Sequence, residues 1–140
     1  MLPQPINVLV LCTGNSCRSI MAEALINHLG QGRYHAWSAG SHPTGTVHPL
    51  ALATLERQNI DPGQPRSKSW NEMTARSFEL IITVCDQAAG ETCPIVPGQP
   101  RKLHWSIPDP AKATGTDSDI QAAFDQTFIL LKNHIESLLT

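Results

Sequence analysis

The stretch Ile6-Asn7-Val8-Leu9-Val10-Leu11-Cys12-Thr13-Gly14-Asn15-Ser16-Cys17-Arg18-Ser19 decides how the rest of the chain is read. Its first six residues are almost continuously aliphatic and β-branched, the pattern of a strand buried on both faces, and such strands belong to parallel sheets. Beyond Arg18, Met21, Leu25 and Leu29 recur four apart with Ala22 and Ile26 beside them, which predicts a helix ending at Gly30. A thiol, five residues and an arginine lie between that strand and that helix. A turn there directs backbone N–H groups and the positive end of the helix dipole inward, a cradle for a tetrahedral oxyanion. Arg18 can grip two anion oxygens with its planar fork. The same donors stabilise a thiolate, so Cys12 is expected to be more acidic than a free cysteine at about 8.5. Thr13, Gly14, Asn15, Ser16, Cys17, Arg18 and Ser19 are then the substrate-binding residues and Cys12 the nucleophile. A cysteine and an arginine at this spacing are common by chance; the strand before, Gly14 in the turn and the helix after make the motif specific.

Outward from this stretch, residues 34–39 form a second strand closed by Gly40, and His48-Pro49 opens a helix that closes at Asn59-Ile60. A short helix is expected over 70–76 and the strongest β run over 78–84, ending directly on Cys85. Residues 86–100, with Gly90, Cys93-Pro94 and Pro97-Gly98, read as a mobile excursion. A short strand follows near 102–105. Thr116 and Asp119 make a capping box for a long C-terminal helix whose apolar stripe runs through Ile120, Phe124, Phe128, Leu131, Ile135 and Leu138. Pro-Gly-Gln-Pro-Arg occurs at both 62–66 and 97–101, two similar turns and no repeat fold. Strands alternating with helices mean an α/β domain with right-handed crossovers, its ligand site at the carboxyl ends of the strands. In a sheet of order 2-1-3-4, the strands ending on Cys12 and Cys85 are neighbours about 4.8 Å apart.

The 140 residues are expected to form one domain, residues 1–140. A net charge of −2 leaves no footprint for nucleic acid or an anionic membrane. The longest apolar run is too short to span a bilayer and lacks a signal-peptide pattern, so a cytoplasmic protein is expected. Four cysteines in a reducing compartment point to catalysis or metal binding rather than a disulfide framework. None of the histidines has a partner at metal-ligand spacing, and Cys-x4-Cys and Cys-x7-Cys lack the close pairs of a zinc site.

The loop at 12–19 followed by Met21-Ala22-Glu23-Ala24, with Ser38-Ala39-Gly40, Val84-Cys85-Asp86, Cys93-Pro94, His104-Trp105 and Asp109-Pro110, resembles the arsenate reductases built on the low-molecular-weight tyrosine phosphatase fold. The phosphatases share the loop; the Cys85/Cys93 pair is what looks like the reductases. The resemblance implies an α/β, low-molecular-weight tyrosine phosphatase-like fold, a four-stranded parallel sheet of order 2-1-3-4 flanked by helices. It also implies a relay. Cys12 attacks arsenate held by Arg18, Asp109 serves the proton transfer, Cys85 displaces arsenite to leave a Cys12–Cys85 disulfide, and Cys93 resolves it. The Cys85–Cys93 disulfide then passes to an external thiol reductant: thioredoxin, or alternatively glutathione with glutaredoxin. The protein is expected to act as a monomer with no bound cofactor.

If residues 86–92 were helical, Cys85 and Cys93 would stand about 12 Å apart at about 1.5 Å per residue. A disulfide needs Cα atoms within about 7 Å, so this loop is expected to refold during turnover. Some relatives hold a potassium ion through an Asn, a Glu, a Ser and an Asp. Asn15, Glu23 and Ser38 match three of these, but the fourth place falls at 67–69, where Lys68 could supply an ammonium instead; no obligatory metal is expected. Cys17 reads as an inert buried thiol, His104 and Trp105 as loop packing, Trp37 and Trp70 as core or surface fill. The alternative is a tyrosine or aryl phosphatase using Cys12, Arg18 and Asp109 with water as the second nucleophile. Against it stands Ala111, where the phosphatases tend to carry a large residue.

Overall fold

The computed structural model describes residues 4–86, 90 and 100–139. The strands β1 (Ile6–Leu11), β2 (Tyr34–Ala39), β3 (Leu80–Thr83) and β4 (Arg101–His104) pair in the order β2-β1-β3-β4, every pair parallel. The helices are α1 (Arg18–Gly30), α2 (Pro49–Arg57) and α3 (Asp117–Leu139), with short 3-10 turns at Trp70–Met73 and Pro110–Lys112. The fold is therefore the expected α/β arrangement, a four-stranded parallel sheet of order 2-1-3-4 flanked by helices.

Both faces of the central strands are covered, which is why β1 shows no polar alternation. Val8, Val10 and Ile82 join Met21, Leu25, Leu55, Phe124, Leu131 and Ile135 in the core beneath the three helices. Leu9, Leu11 and Ile81 face the other way, onto Ala39, Met73 and Phe78, with Trp37 and Trp70 packed against them. The stripe along α3 is buried at Phe124, Phe128, Leu131 and Ile135. Thr116 and Asp119 form the expected capping box: the Asp119 N–H donates to Thr116 Oγ1 at 3.1 Å, and the Thr116 N–H to Asp119 Oδ2 at 3.0 Å.

Several boundaries differ from the sequence expectations. β3 is shorter than 78–84 because Phe78 turns into the second core and Val84 leaves the ladder after one bond to Leu11. The helical segment after Ser69 is a 3-10 turn that stops at Met73. β4 runs Arg101–His104, one residue earlier at each end than the expected 102–105. At the end of α1 the left-handed residue is Gln31, with φ of 48°. Gly30 is needed for a different reason, since a Cβ there would stand 2.9 Å from Tyr34 Cβ. Among the described residues no helix is long and apolar enough to cross a membrane. The expected mobile excursion at 86–100, with its resolving Cys93, lies almost wholly outside the described residues.

Candidate active site

β1 delivers the chain to Cys12 and α1 takes it up at Arg18, so residues 12–17 make the whole turn. The carbonyl groups of this turn are pinned from outside. Thr13 O accepts from His42 N at 2.9 Å, Gly14 O from Thr44 N at 3.0 Å and Ser67 Oγ at 3.2 Å, and Ser16 O from His48 N at 3.1 Å. In a trans peptide the N–H opposes the carbonyl, so the amides of Gly14, Asn15 and Cys17 are turned inward. Among the described residues no side chain caps α1, whose first-turn N–H groups face the turn.

Asn15 is the keystone of the turn, fully buried and left-handed, with φ of 46°. Its Nδ2 donates to Ser19 Oγ at 2.8 Å and Ser38 Oγ at 3.0 Å, and its Oδ1 accepts from the Lys68 N–H at 2.9 Å. Gly40 brings the end of β2 against the turn, where a Cβ would stand 2.4 Å from Thr13 O and 2.6 Å from Cys12 O.

Arg18 is aimed by two contacts. One nitrogen donates to Ile107 O at 2.8 Å, and the other lies 3.6 Å from Asp109 Oδ2. The other Asp109 oxygen accepts from Ala111 N at 3.0 Å and caps the following turn. A cavity of about 150 Å³ is lined by Cys12, Gly14, Ser16, Arg18, Thr44, Asp109 and Ala111. Beside it a wider cleft of about 520 Å³ reaches Thr13, Cys85, Asp86, Ser106 and Lys112, sharing Gly14, Arg18 and Asp109.

Cys85 stands where the strand order places it. Val84 N donates to Leu11 O at 3.0 Å, and Cys85 Sγ accepts from the Thr13 N–H at 3.3 Å, with the Thr13 hydroxyl 3.5 Å away. Cys12, Cys17 and Cys85 are all buried. The expectation of an acidic Cys12 is not met in this arrangement: its pKa is raised, first by the hydrogen bond with Cys85 and then by burial, while Arg18 and the Gly14 N–H pull it down. Cys17 is pushed up to about 11 by burial, as suits an inert thiol.

Behind Asn15 sits Glu23, whose pKa burial raises while the Ser38 hydroxyl and then the charge of Lys68 pull it back. Its Oε1 is buried with no hydrogen-bond partner among the described residues. The half-buried Lys68 donates from Nζ to Arg66 O at 3.2 Å; burial lowers its pKa, and the charge of Glu23 opposes this only in part. The Asn15 oxygen behind the turn is taken by the Lys68 amide. Among the described residues no cluster of three His, Cys, Asp or Glu side chains could hold a metal ion.

Sequence reasoning did not single out His42 and Thr44 or the pinning role of Ser67, and it read His104 as loop packing. Thr83 and His104 are register partners at the ends of β3 and β4. Their shared position at the strand ends was the available signal.

The family described as "Low molecular weight phosphotyrosine protein phosphatase" matches residues 7–140. An arsenate reductase of Halalkalibacterium halodurans is 37% identical over 114 residues, covering 81% of each chain. A solved structure described as "An arsenate reductase in the phosphate binding state" superposes with a TM-score of 0.78 at 28% identity, over 96% of both chains. The low molecular weight protein tyrosine phosphatase from T. tengcongensis superposes with a TM-score of 0.79 at 23% identity, over 96% of this chain and 97% of that one, a likeness of fold.

Proposed function

Because this chain belongs to the low molecular weight phosphotyrosine protein phosphatase family, among the arsenate reductases of that fold, we propose that it reduces arsenate to arsenite. The observation that carries this reading is the second buried thiol: Cys85 hydrogen-bonded to Cys12 and to the Thr13 amide at the rim of the anion cradle. Hydrolysis of a phosphocysteine by water has no use for it.

Arsenate binds in the turn with its oxygens on the inward N–H groups and the Arg18 fork. Cys12 sulfur displaces an arsenate oxygen; an S–As bond forms, an As–O bond breaks, and the oxygen leaves as water with a proton relayed by Asp109. Cys85 sulfur then attacks Cys12 sulfur. The S–S bond forms as the S–As bond breaks, and the electron pair stays on arsenic, which falls from the +5 to the +3 state. The Cys85 proton ends on the departing arsenite. Cys93 attacks Cys85 in turn, regenerating the Cys12 thiol and leaving a Cys85–Cys93 disulfide. An external thiol reductant, thioredoxin by preference and glutathione with glutaredoxin otherwise, restores the reduced protein in the cytoplasm. The enzyme works as a monomer without a bound cofactor, and the Lys68 ammonium takes the place of a cation behind the loop.

The test follows NADPH consumption with thioredoxin and its reductase, then with glutathione, glutaredoxin and glutathione reductase, each with and without arsenate. Arsenate-dependent turnover with one system is expected. Its absence with both, together with rapid hydrolysis of an aryl phosphate, overturns the reading in favour of a phosphatase.

A further inference from the structure

Beyond Val84 the chain leaves the ladder of β3, and the residue after Cys85 is instead held by side chains. His104 Nε2 lies 2.9 Å from Asp86 Oδ1, and His104 Nδ1 lies 2.7 Å from Thr83 Oγ1. The Ser106 hydroxyl also bonds the Asp86 carboxyl, and with His104 it holds that group below its ordinary range. An ionised carboxylate only accepts, so Nε2 carries the proton toward Asp86, while Nδ1 hydrogen-bonds with the Thr83 hydroxyl. Every polar atom of the ring is then satisfied.

Asp86 is 77% exposed, and an exposed ion pair of this kind adds little to folding stability. Its position is what matters. Thr13 holds the Cys85 sulfur on one side, and the clasp holds the next residue to β4 on the other. A thiol that must attack a neighbouring sulfur in line gains rate from being kept in that geometry.

We infer that His104 is a positioning residue for the second thiol step: through Asp86 it keeps Cys85 facing Cys12, while the anion cradle itself does not depend on it. This rests on the reductase reading for its use of arsenate, but the juxtaposition it describes can be read without arsenate. The step served is the one written above, in which the Cys12–Cys85 bond forms as the S–As bond breaks and arsenite leaves.

The experiment uses the full chain carrying Cys93→Ser, with His104→Ala, Asp86→Ala, both together, and Asp86→Asn. Formation of the Cys12–Cys85 disulfide is timed by mass mapping in two arms, one started with arsenate and one with diamide, a two-electron thiol oxidant. Inorganic phosphate is titrated by thermal shift to read the cradle. Each alanine variant is expected to slow the disulfide in both arms by roughly five- to ten-fold, one hydrogen bond expressed as a rate. The double variant should be no slower than the singles, because the two residues act as one unit. Asp86→Asn, which still accepts from both partners, should retain most of the rate, and half-saturation by phosphate should not move.

Wild-type disulfide rates in the alanine variants, a double variant slowed by the product of the singles, or an equal loss of phosphate affinity each overturn the inference. If the parent forms the disulfide with diamide but not with arsenate, the reductase reading falls. The diamide arm still decides the role of His104.

Discussion

The backbone N–H of Thr13 donates to Cys85 Sγ at 3.3 Å, and the Thr13 hydroxyl lies 3.5 Å from the same sulfur. One residue of the anion turn therefore also serves the second thiol. Thr13→Val keeps the amide and removes the hydroxyl. It should slow Cys12–Cys85 disulfide formation by roughly three- to ten-fold, the worth of one hydrogen bond, with Thr13→Ser close to wild type. Rapid-quench thiol counting checks this; equal rates for the valine and serine variants would show that the hydroxyl does not act on Cys85.

Arg18 and Asp109 separate by chemistry. Arg18→Lys loses both the fork and the bond to Ile107 O, and kcat/KM for arsenate should fall by about 10²- to 10³-fold. Asp109→Asn keeps an oxygen for the Ala111 N–H, so the turn and the Tm should hold while kcat falls about 10²-fold through loss of the proton carrier. A large drop in Tm for Asp109→Asn would make its role structural.

Gly40 is a packing constraint on catalysis. Its missing Cβ is what lets β2 close on the carbonyls of Cys12 and Thr13. Gly40→Ala should cost about 1–3 kcal/mol of stability and displace the turn, reducing activity by more than the loss of folded protein explains. Paired thermal melts and arsenate-dependent rates test this. An active variant with an unchanged Tm would contradict the close approach.

Burial raises the pKa of Glu23 in the folded chain. A raised acid contributes stability that is complete below its unfolded value and is lost as pH rises through the folded one. Glu23→Gln mimics the neutral form, so its Tm should match wild type near pH 4 and exceed it increasingly toward pH 7. A constant difference across that range would remove the argument. With Lys68 serving the same group, potassium and sodium chloride at equal ionic strength should support equal rates.

The strand, turn and helix of residues 6–30 could be read from the chain because every level agreed: a two-face apolar strand, an arginine at a helix start, an i, i+4 apolar stripe. Given the sheet order that the resemblance implies, the meeting of Cys12 with Cys85 followed from strand ends in a parallel sheet. What could not be read depends on contacts far apart in sequence. The outward pinning of the turn by His42, Thr44, His48 and Ser67 gives those residues no periodic pattern. His104 read as packing because its partners, Thr83 and Asp86, lie on the neighbouring strand and just beyond it. The pKa of Cys12 was misjudged because sequence shows the helix dipole and Arg18 but not a second thiol hydrogen-bonded to the first.

The central claim is that a second thiol, and not water, completes the chemistry begun at Cys12. The most direct measurement treats the reduced Cys93→Ser protein with arsenate, counts the arsenite released and maps the disulfides by mass spectrometry. The account predicts about one arsenite per protein, a Cys12–Cys85 disulfide, and no further turnover with thioredoxin. Free Cys12 and Cys85 thiols with no arsenite released would contradict it.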